Sequence, residues 1–263
     1  MATDQKWALI TGASSGIGKA VACEFARRGY NLFLASQDDG PLQQTAADFH
    51  LRYNVETQFC LADLTSVESI AGLIQAASAP PIEIEILVNN AGFGVGGEFL
   101  STDLSRELNL VNLQLAATLK LTKAVLPQMV ARRKGRILNV ASVYSFAPVP
   151  FQAVYSACKA FLFTFSESLR IELQGTGVTV TALCPGTVRT EFRSRAGIAH
   201  RNQSAGLTPE AVAKLAVRQT LRGKHLVIPG FSSKFFVFCA RRLPVSVVPR
   251  IVRYINSLRG VNK

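Results

Sequence analysis

The 263-residue chain is poor in the side chains that most metal sites and hydrolytic triads require. Its three histidines, His50, His200 and His225, lie far from every motif described below, which disfavours a histidine-based triad or a zinc site. The five cysteines are scattered without C-x-x-C spacing, and so predict buried thiols in a reducing compartment. No apolar stretch approaches the roughly 20 residues that span a bilayer, and the polar start does not resemble a signal peptide. We therefore expect a cytoplasmic protein that uses no metal.

Acidic residues are nearly absent from the C-terminal part of the chain. Residues 1–188 hold 14 Lys/Arg and 15 Asp/Glu, whereas residues 189–263 hold 15 Lys/Arg and only Glu191 and Glu210. The net charge of +12 is therefore concentrated in the last 75 residues. Such an asymmetry predicts an anionic partner.

The segment 231–263 alternates apolar or aromatic residues with basic ones, and Pro244 and Pro249 divide it into short pieces. Three interpretations remain open. The segment lies on an anionic membrane as amphipathic helices, or it closes a substrate pocket and attracts an anionic acyl substrate, or it packs on its own or a neighbouring subunit. Nucleic acid is disfavoured, since no recognition motif accompanies the charge.

Short apolar runs alternate with helical patterns along the chain. The predicted strands are Trp7–Thr11, Leu32–Ala35, Thr57–Leu61, Ile84–Val88, Arg136–Ala141, Val178–Leu183 and His225–Ile228. The predicted helices are Ile17–Arg28, Leu42–Arg52, Val67–Ala77, Leu104–Val130, Val154–Gln174 and Pro209–Arg222. This alternation predicts an α/β fold, a doubly wound parallel sheet of seven strands with helices on both faces.

A glycine-rich turn, Thr11-Gly-Ala-Ser-Ser-Gly-Ile-Gly18, joins the first strand to the first helix. Glycines let the backbone approach a pyrophosphate, which a helix N-terminus stabilises. The spacing is Gly-x3-Gly-x-Gly, which differs from the G-x-G-x-x-G fingerprint. It is also not a P-loop, because Ala13 and Ala20 stand where that motif needs Gly and Ser or Thr.

A second motif combines a phenol, an ammonium and a hydroxyl. Tyr155 and Lys159 share one face of a predicted helix, and Ser142 lies thirteen residues upstream. A cation beside a phenol lowers the pKa of the phenol, which makes tyrosine a usable acid or base. Ser142 can donate a hydrogen bond to the same substrate oxygen. The trio therefore suits proton transfer at a carbonyl or alcohol oxygen.

These motifs, with Asn89-Asn-Ala-Gly92 after strand four and Pro185-Gly-Thr-Val-Arg-Thr190 after strand six, resemble the short-chain dehydrogenase/reductase family over essentially the whole chain. The surrounding residues are similar to a bacterial subgroup named after DltE. The resemblance implies that residues 1–230 form a Rossmann-like dinucleotide-binding and catalytic domain, with 231–263 as its basic C-terminal extension. It also favours a homo-dimer or tetramer.

The resemblance implies a role for each motif. Tyr155 protonates the substrate oxygen, Ser142 polarises the carbonyl, and Lys159 binds the nicotinamide ribose and tunes Tyr155. The glycine turn binds the pyrophosphate, Asp63 and Leu64 border the adenine, and the strand-six motif meets the nicotinamide. The implied cofactor-binding residues are Gly12, Ser14, Ser15, Gly16, Ile17, Gly18, Ser36, Gln37, Asp63, Leu64, Asn90, Ala91, Gly92, Tyr155, Lys159, Pro185, Gly186, Val188 and Thr190.

One position departs from the family pattern. The family places an asparagine 28 residues before the catalytic serine, where it holds a water that links the lysine to solvent. Here that position is Gln114. The glutamine keeps the amide and adds a methylene, so we expect it to be a fourth catalytic residue in a displaced relay.

The end of strand two selects between NAD and NADP. Family spacing places Ser36 where NAD enzymes carry a carboxylate for the ribose 2′-hydroxyl, and Gln37 where NADP enzymes often carry arginine. Asp38 and Asp39 would weaken phosphate binding. NADP is favoured by elimination, with NAD as the alternative.

The sequence thus predicts an NADP-dependent ketoreductase or alcohol dehydrogenase. Phe93 and the loop residues Phe146, Pro148, Pro150 and Phe151 indicate either an apolar pocket or ordinary core packing. The pocket interpretation favours an apolar substrate, with acyl and lipid-like compounds as candidates. The alternative is a non-catalytic dinucleotide-binding protein, either regulatory or a membrane-associated scaffold.

Overall fold

The computed structural model describes residues 6–192, 206–244 and 246–258. Within them, seven parallel strands form one sheet in the order β3-β2-β1-β4-β5-β6-β7. The strands are β1 Trp7–Thr11, β2 Asn31–Ser36, β3 Thr57–Leu61, β4 Ile84–Asn89, β5 Gly135–Val140, β6 Val178–Leu183 and β7 Leu226–Val227. The predicted doubly wound sheet is confirmed.

Helices lie between the strands and cover both faces of the sheet, and two more follow β7. They are α1 Gly16–Ala26, α2 Asp39–Tyr53, α3 Val67–Ala77, α4 Leu104–Val111, α5 Ala117–Ala131, α6 Ala153–Glu172, α7 Pro209–Leu221, α8 Phe231–Arg242 and α9 Val248–Leu258. In the described part of the chain, none of these helices is long and apolar enough to cross a membrane. His200 and the last residues of the basic extension, 259–263, lie outside the described residues.

Side chains that alternate along each strand build two cores. Ile10, Leu34 and Val88 point to the face covered by α1, α2 and α7. Leu9 and Leu87 point to the opposite face, which α3, α5 and α6 cover. Because every central strand is buried on both sides, its sequence is continuously apolar, which is why the strands were predictable.

The strand order reverses between β1, which leads outward to β2 and β3, and β4, which leads to β5. The connections that follow these two strands run to opposite faces, and a crevice opens at their carboxyl ends. The glycine turn and the Asn89-Asn-Ala-Gly92 motif both lie at this crevice.

One helix differs from the prediction. The sequence predicts a single helix over 104–130, whereas the structure has α4, a π-helical turn at Asn112–Ala116, and then α5. A π turn accommodates an extra residue in the helix and is frequent at functional sites. Here its buried residue is Gln114, so the interruption bears on the site described next.

Candidate active site

The glycine turn forms a backbone cradle at the start of α1. Gly12 and Gly16 have φ values of 65° and 55°, which side-chain-bearing residues rarely adopt. The α1 N-cap, Ser15, makes no side-chain capping bond, and the first turn of α1 holds no acidic residue. The helix N-terminus therefore keeps amide donors and positive dipole potential for an anion. These residues fit a dinucleotide pyrophosphate.

Gly18 has a different role from the other glycines of the turn. It does not line the cleft described below, and a Cβ added to it would collide with the Gly12 carbonyl oxygen. Gly18 therefore permits α1 to pack closely against the turn. Gly18 would therefore influence cofactor binding only indirectly, by allowing the glycine turn to keep its shape.

Hydrogen bonds from the loop after β4 fix the glycine turn. The Asn90 side-chain amide donates to the carbonyl oxygens of Thr11 at 2.8 Å and Gly12 at 3.2 Å. The Thr11 hydroxyl accepts from the backbone amides of Asn90 and Ala91, each at 3.0 Å. These bonds couple the carboxyl ends of β1 and β4 across the crevice.

A short polar chain lies at the end of β2. The Ser36 hydroxyl donates to the Ser14 hydroxyl at 2.9 Å, and Ser14 donates to an Asp38 carboxylate oxygen at 3.0 Å. All three residues and the exposed Gln37 line the cleft. These hydrogen bonds hold the Asp38 carboxylate two residues beyond Ser36, which stands where NAD enzymes carry a carboxylate.

Three elements position the hydroxyl, the phenol and the ammonium. Ser142 follows β5 and opens a 3₁₀ turn, Val143–Phe146, whose Tyr144 amide donates to the Ser142 hydroxyl at 3.2 Å. Tyr155 and Lys159 lie in the first turns of α6, where both are buried. The Lys159 Nζ lies 5.6 Å from the centre of the Tyr155 ring and donates to the Val140 carbonyl at 2.8 Å. The structure thus brings the three residues together.

Burial dominates the electrostatics of this trio. It raises the pKa of Tyr155 well above the usual range, and a hydrogen bond with Ser142 opposes that rise. Burial also lowers the pKa of Lys159 to about 8. The sequence alone predicts a lowered tyrosine pKa. The structure gives the opposite direction, because desolvation of the phenolate outweighs the hydrogen bond with Ser142.

A single cleft of about 930 Å³ joins the cradle to the trio. The cofactor residues predicted from the sequence all line it, apart from Gly18. They are Gly12, Ser14, Ser15, Gly16, Ile17, Ser36, Gln37, Asp63, Leu64, Asn90, Ala91, Gly92, Tyr155, Lys159, Pro185, Gly186, Val188 and Thr190. The Asp63 carboxylate also accepts from the Thr65 amide at 2.9 Å and from its hydroxyl at 2.8 Å, so a local turn orients it.

Gln114 lies behind the cleft wall and does not line the cleft. It is 1% exposed, and its Nε2 donates to the Phe93 carbonyl at 2.9 Å. Its Oε1 is buried and has no hydrogen-bond partner among the described residues. A Cβ added to Gly92 would lie 3.3 Å from the Gln114 Nε2. The glutamine therefore supports the loop after β4 and retains one acceptor.

The far end of the cleft is aromatic and apolar. The Tyr155 ring lies 5.6 Å from the Phe192 ring and 6.5 Å from the Tyr144 ring, and Tyr144 in turn lies 6.4 Å from Phe236 of α8. Phe93 lines this end too, whereas Phe146 packs against Phe163 with ring centres 4.6 Å apart. Of the loop predicted to shape the pocket, Phe146, Pro148, Pro150 and Phe151 do not line the cleft.

Several lining residues lie outside the motifs and could not be identified from them. Arg106, Asn109 and Leu113 come from α4 and the π turn, while Phe236 and Val252 come from α8 and α9. Only the suggestion that the C-terminal segment closes a pocket could have indicated the last two. The N-terminal end of α8 lies close to the motif after β6, since a Cβ added to Gly186 would clash with the Ser233 hydroxyl.

Comparison with known proteins adds to this geometry. The family model described as short chain dehydrogenase matches residues 6–200. The very-long-chain 3-oxoacyl-CoA reductase of Anas platyrhynchos is 38% identical over 190 residues, which cover 71% of this chain and 61% of that protein. The human inactive hydroxysteroid dehydrogenase-like protein 1 is 36% identical over 214 residues, which cover 81% of this chain and 64% of that protein. The chain thus spans less than two thirds of the length of these relatives.

A solved structure matches more completely. A short-chain dehydrogenase from Sphingobium yanoikuyae in complex with NADPH superposes with a TM-score of 0.82 at 32% identity. The match covers 90% of this chain and 93% of that one. The similarity therefore extends beyond the glycine turn to most of the sheet and its helices.

Proposed function

The chain belongs to the short-chain dehydrogenase/reductase family, and we propose that it is an NADP-dependent oxidoreductase that interconverts a ketone and a secondary alcohol on an apolar substrate. The observation that carries the proposal is the buried trio of Ser142, Tyr155 and Lys159, which lies between a dinucleotide cradle and an aromatic pocket in one cleft. The subgroup named after DltE stays a prediction, as does a homo-oligomeric state.

The proposed roles follow from the surroundings of each side chain. A dinucleotide held by the glycine turn and the motif after β6 would supply the hydride for the carbonyl carbon. The Tyr155 hydroxyl gives its proton to the carbonyl oxygen, and the Ser142 hydroxyl donates a hydrogen bond to that oxygen. Lys159, with a pKa of about 8, carries its charge at neutral pH and stabilises the tyrosinate that remains. In the oxidative direction Tyr155 is the base.

Gln114 contributes in this proposal as a positioning residue. Its Nε2 fixes the Phe93 carbonyl, and Phe93 lines the substrate end of the cleft. Its Oε1, which has no hydrogen-bond partner among the described residues, offers an acceptor to a relay water. Because Gln114 lies behind the cleft wall and does not line the cleft, we expect its effect on turnover to be smaller than that of Tyr155.

The preference for NADP over NAD in this proposal rests on the residues at the end of β2. Ser36 offers a hydroxyl where a carboxylate would repel a 2′-phosphate, and the similar Sphingobium protein was solved with NADPH. The Asp38 carboxylate opposes this preference, because it lies within hydrogen-bond distance of Ser14 at the same end of the cleft. We therefore expect NADPH to bind better than NADH by a modest factor.

An apolar acyl substrate is the class that the pocket supports best. Phe93, Tyr144, Phe192 and Phe236 supply aromatic walls around Tyr155. Aromatic and aliphatic walls favour an extended hydrocarbon over a hydrated sugar. The Anas relative, named as a very-long-chain 3-oxoacyl-CoA reductase, indicates 3-oxoacyl thioesters as the first compounds to try.

The test is NADPH oxidation by the purified protein with a series of 3-oxoacyl thioesters of increasing chain length. Tyr155→Phe should lower kcat by about a thousandfold, since general acid catalysis contributes in that range. The same variant should keep its thermal stabilisation by NADPH. Tyr144→Phe is the matched control, because Tyr144 is a second phenol on the same cleft, and it should retain most of the activity.

A second candidate is a protein that binds the dinucleotide without turnover. The inactive human relative favours it, as does glutamine in place of the family asparagine. The complete trio opposes it. Thermal stabilisation by NADPH without reduction of any offered ketone, together with equal behaviour of Tyr155→Phe and the wild type, would favour this candidate over the enzyme.

A further inference from the structure

Helix α8 carries a stripe of phenylalanines on its outer face. Phe231, Phe235 and Phe238, spaced by four and three residues, are 85%, 60% and 56% exposed. The opposite side of the same helix is buried at Ser233 and Val237. Exposure of three large rings on one face costs free energy in water, so this face is suited to an apolar environment.

Helix α9 repeats the arrangement. Val248 and Val252 pack inward against Ala147, Val149 and α8. Val247, just before the helix, and Ile251 and Tyr254 within it, again spaced by four and three, remain exposed. We call the outer faces of α8 and α9 the C-terminal surface.

The charge of the C-terminal surface has one sign. Lys234 and Arg242 flank the phenylalanine stripe of α8, and Arg250 and Arg253 flank the apolar stripe of α9, all of them exposed. The sequence contains no acidic residue after Glu210. Rings and aliphatic groups bordered by Lys and Arg are the composition of helices that lie in the boundary between headgroups and acyl chains.

From this composition we infer that the C-terminal surface docks onto an anionic lipid bilayer. A second copy of the chain is a poorer occupant, because two such surfaces facing each other would place like charges together. An acidic protein would satisfy the arginines, but it would leave the projecting phenylalanines in contact with water unless it held matching hollows. A bilayer accommodates both features.

Docking of this surface would also orient the cleft. Phe236 and Val252 lie on the inner sides of α8 and α9, and both line the substrate end of the cleft. The same two helices therefore separate the proposed bilayer contact from the apolar pocket. An apolar substrate would have a short path from the acyl region to Tyr155. The docking itself does not depend on turnover.

The experiment is sedimentation of the full chain with phosphatidylcholine vesicles, with and without phosphatidylserine. We expect binding to the vesicles that contain phosphatidylserine at low salt, a decrease on adding salt because screening weakens the attraction, and little binding to phosphatidylcholine alone. Failure to sediment with the anionic vesicles at low salt would overturn the proposal.

Two sets of variants separate the apolar and electrostatic contributions. Phe231→Ser/Phe235→Ser/Phe238→Ser should lower the partition coefficient about a hundredfold or more. Lys234→Gln/Arg242→Gln should lower it about thirtyfold, at roughly fivefold for each charge near an anionic surface. Retained thermal stabilisation by NADPH shows that each variant is folded.

The control is Leu51→Ser/Arg52→Gln on α2, where Leu51 is 82% exposed. Helix α2 covers the sheet edge opposite to β7, so this pair should not change binding. A loss as large as that of the phenylalanine variant would contradict a specific docking surface.

Two further outcomes would overturn the proposal. Binding that is lost in the charge variant and unchanged in the phenylalanine variant would indicate a purely ionic contact, as with an acidic protein. If the wild type does not sediment with vesicles but self-associates through the phenylalanines in gel filtration, the C-terminal surface is an interface between copies of the chain. Tyr155→Phe should bind vesicles like the wild type, which separates this proposal from the proposed activity.

Discussion

The two ends of the cleft are built by different means. The cofactor end consists of strand ends and turns whose backbone atoms are held by named hydrogen bonds, such as those from Asn90 to Thr11 and Gly12. The substrate end is closed by α8 and α9, which we call the lid. They are held by apolar side chains and by Arg241 over the rings of Phe146 and Phe163. The first end tolerates few residue types because its backbone leaves no space. The second needs only apolar volume and a cation, so many sequences could form it.

The largest expected effect is at the cofactor end. Gly18→Ala would place a Cβ against the Gly12 carbonyl oxygen, and backbone cannot move aside as a side chain can. We expect the free energy of unfolding to fall by about 4 kcal/mol. Stabilisation by NADPH should be lost with it. Chemical denaturation with and without NADPH measures both.

Gly72→Ala is the matched control, since Gly72 also lies inside a helix but has no atom within 4 Å of an added Cβ. Alanine there should raise the free energy of unfolding by about 0.5–1 kcal/mol, because glycine is the poorer helix former. If the two variants changed stability in the same direction, tight backbone packing would not be what distinguishes the cofactor end.

The next effect is expected where the two ends meet, at Lys159. Burial lowers its pKa to about 8 from the usual 10.5, so the charged side chain is less stable in the native state than in the unfolded one. Lys159→Met should therefore raise the free energy of unfolding at pH 7 by about 3 kcal/mol, at 1.36 kcal/mol for each pKa unit. Activity should fall sharply in the same variant.

The difference in the free energy of unfolding between Lys159→Met and the wild type should depend on pH. Between pH 8 and 10.5 the unfolded wild type binds a proton at Lys159 that the native state has lost, so the stability of the wild type rises with pH. Lys159→Met lacks that rise, and its advantage over the wild type should shrink as the pH approaches 10.5. A constant difference between the two proteins across this range would contradict burial of the ammonium as the cause.

The same contrast explains what the sequence could predict. The strands are buried on both faces, so their apolar runs identify the sheet, and glycines mark the cradle because only they fit its backbone. Phe236 and Val252 could not be assigned to the cleft, since their position depends on how α8 and α9 pack. The predicted lowering of the Tyr155 pKa was wrong for a related reason. The helical spacing of Lys159 from Tyr155 can be read from the local sequence, whereas the burial that raises the pKa comes from the whole fold.

The π turn at Gln114 also could not be predicted from the sequence. The pattern of apolar residues predicted one continuous helix over 104–130, because a single extra residue barely alters the periodicity. The family spacing, 28 residues before Ser142, nevertheless indicates Gln114 as a candidate site residue. Its hydrogen bond to the Phe93 carbonyl is made from within that turn, and no local pattern indicates the turn.

The smallest expected effect is at the lid. The Arg241 guanidinium lies 4.8 Å from the Phe146 ring centre and 5.8 Å from that of Phe163. Arg241→Met keeps much of the side-chain volume and removes the cation–π attraction, which is worth about 0.5–1 kcal/mol. A lid held less firmly should raise KM for a ketone a few-fold and leave the Kd of NADPH unchanged. Arg242→Met is the control, because Arg242 lies over Phe238 on the outer face and should not alter KM. If Arg241→Met weakened NADPH binding as much as ketone binding, the two ends would act as one unit, and the separation argued from their construction would fail.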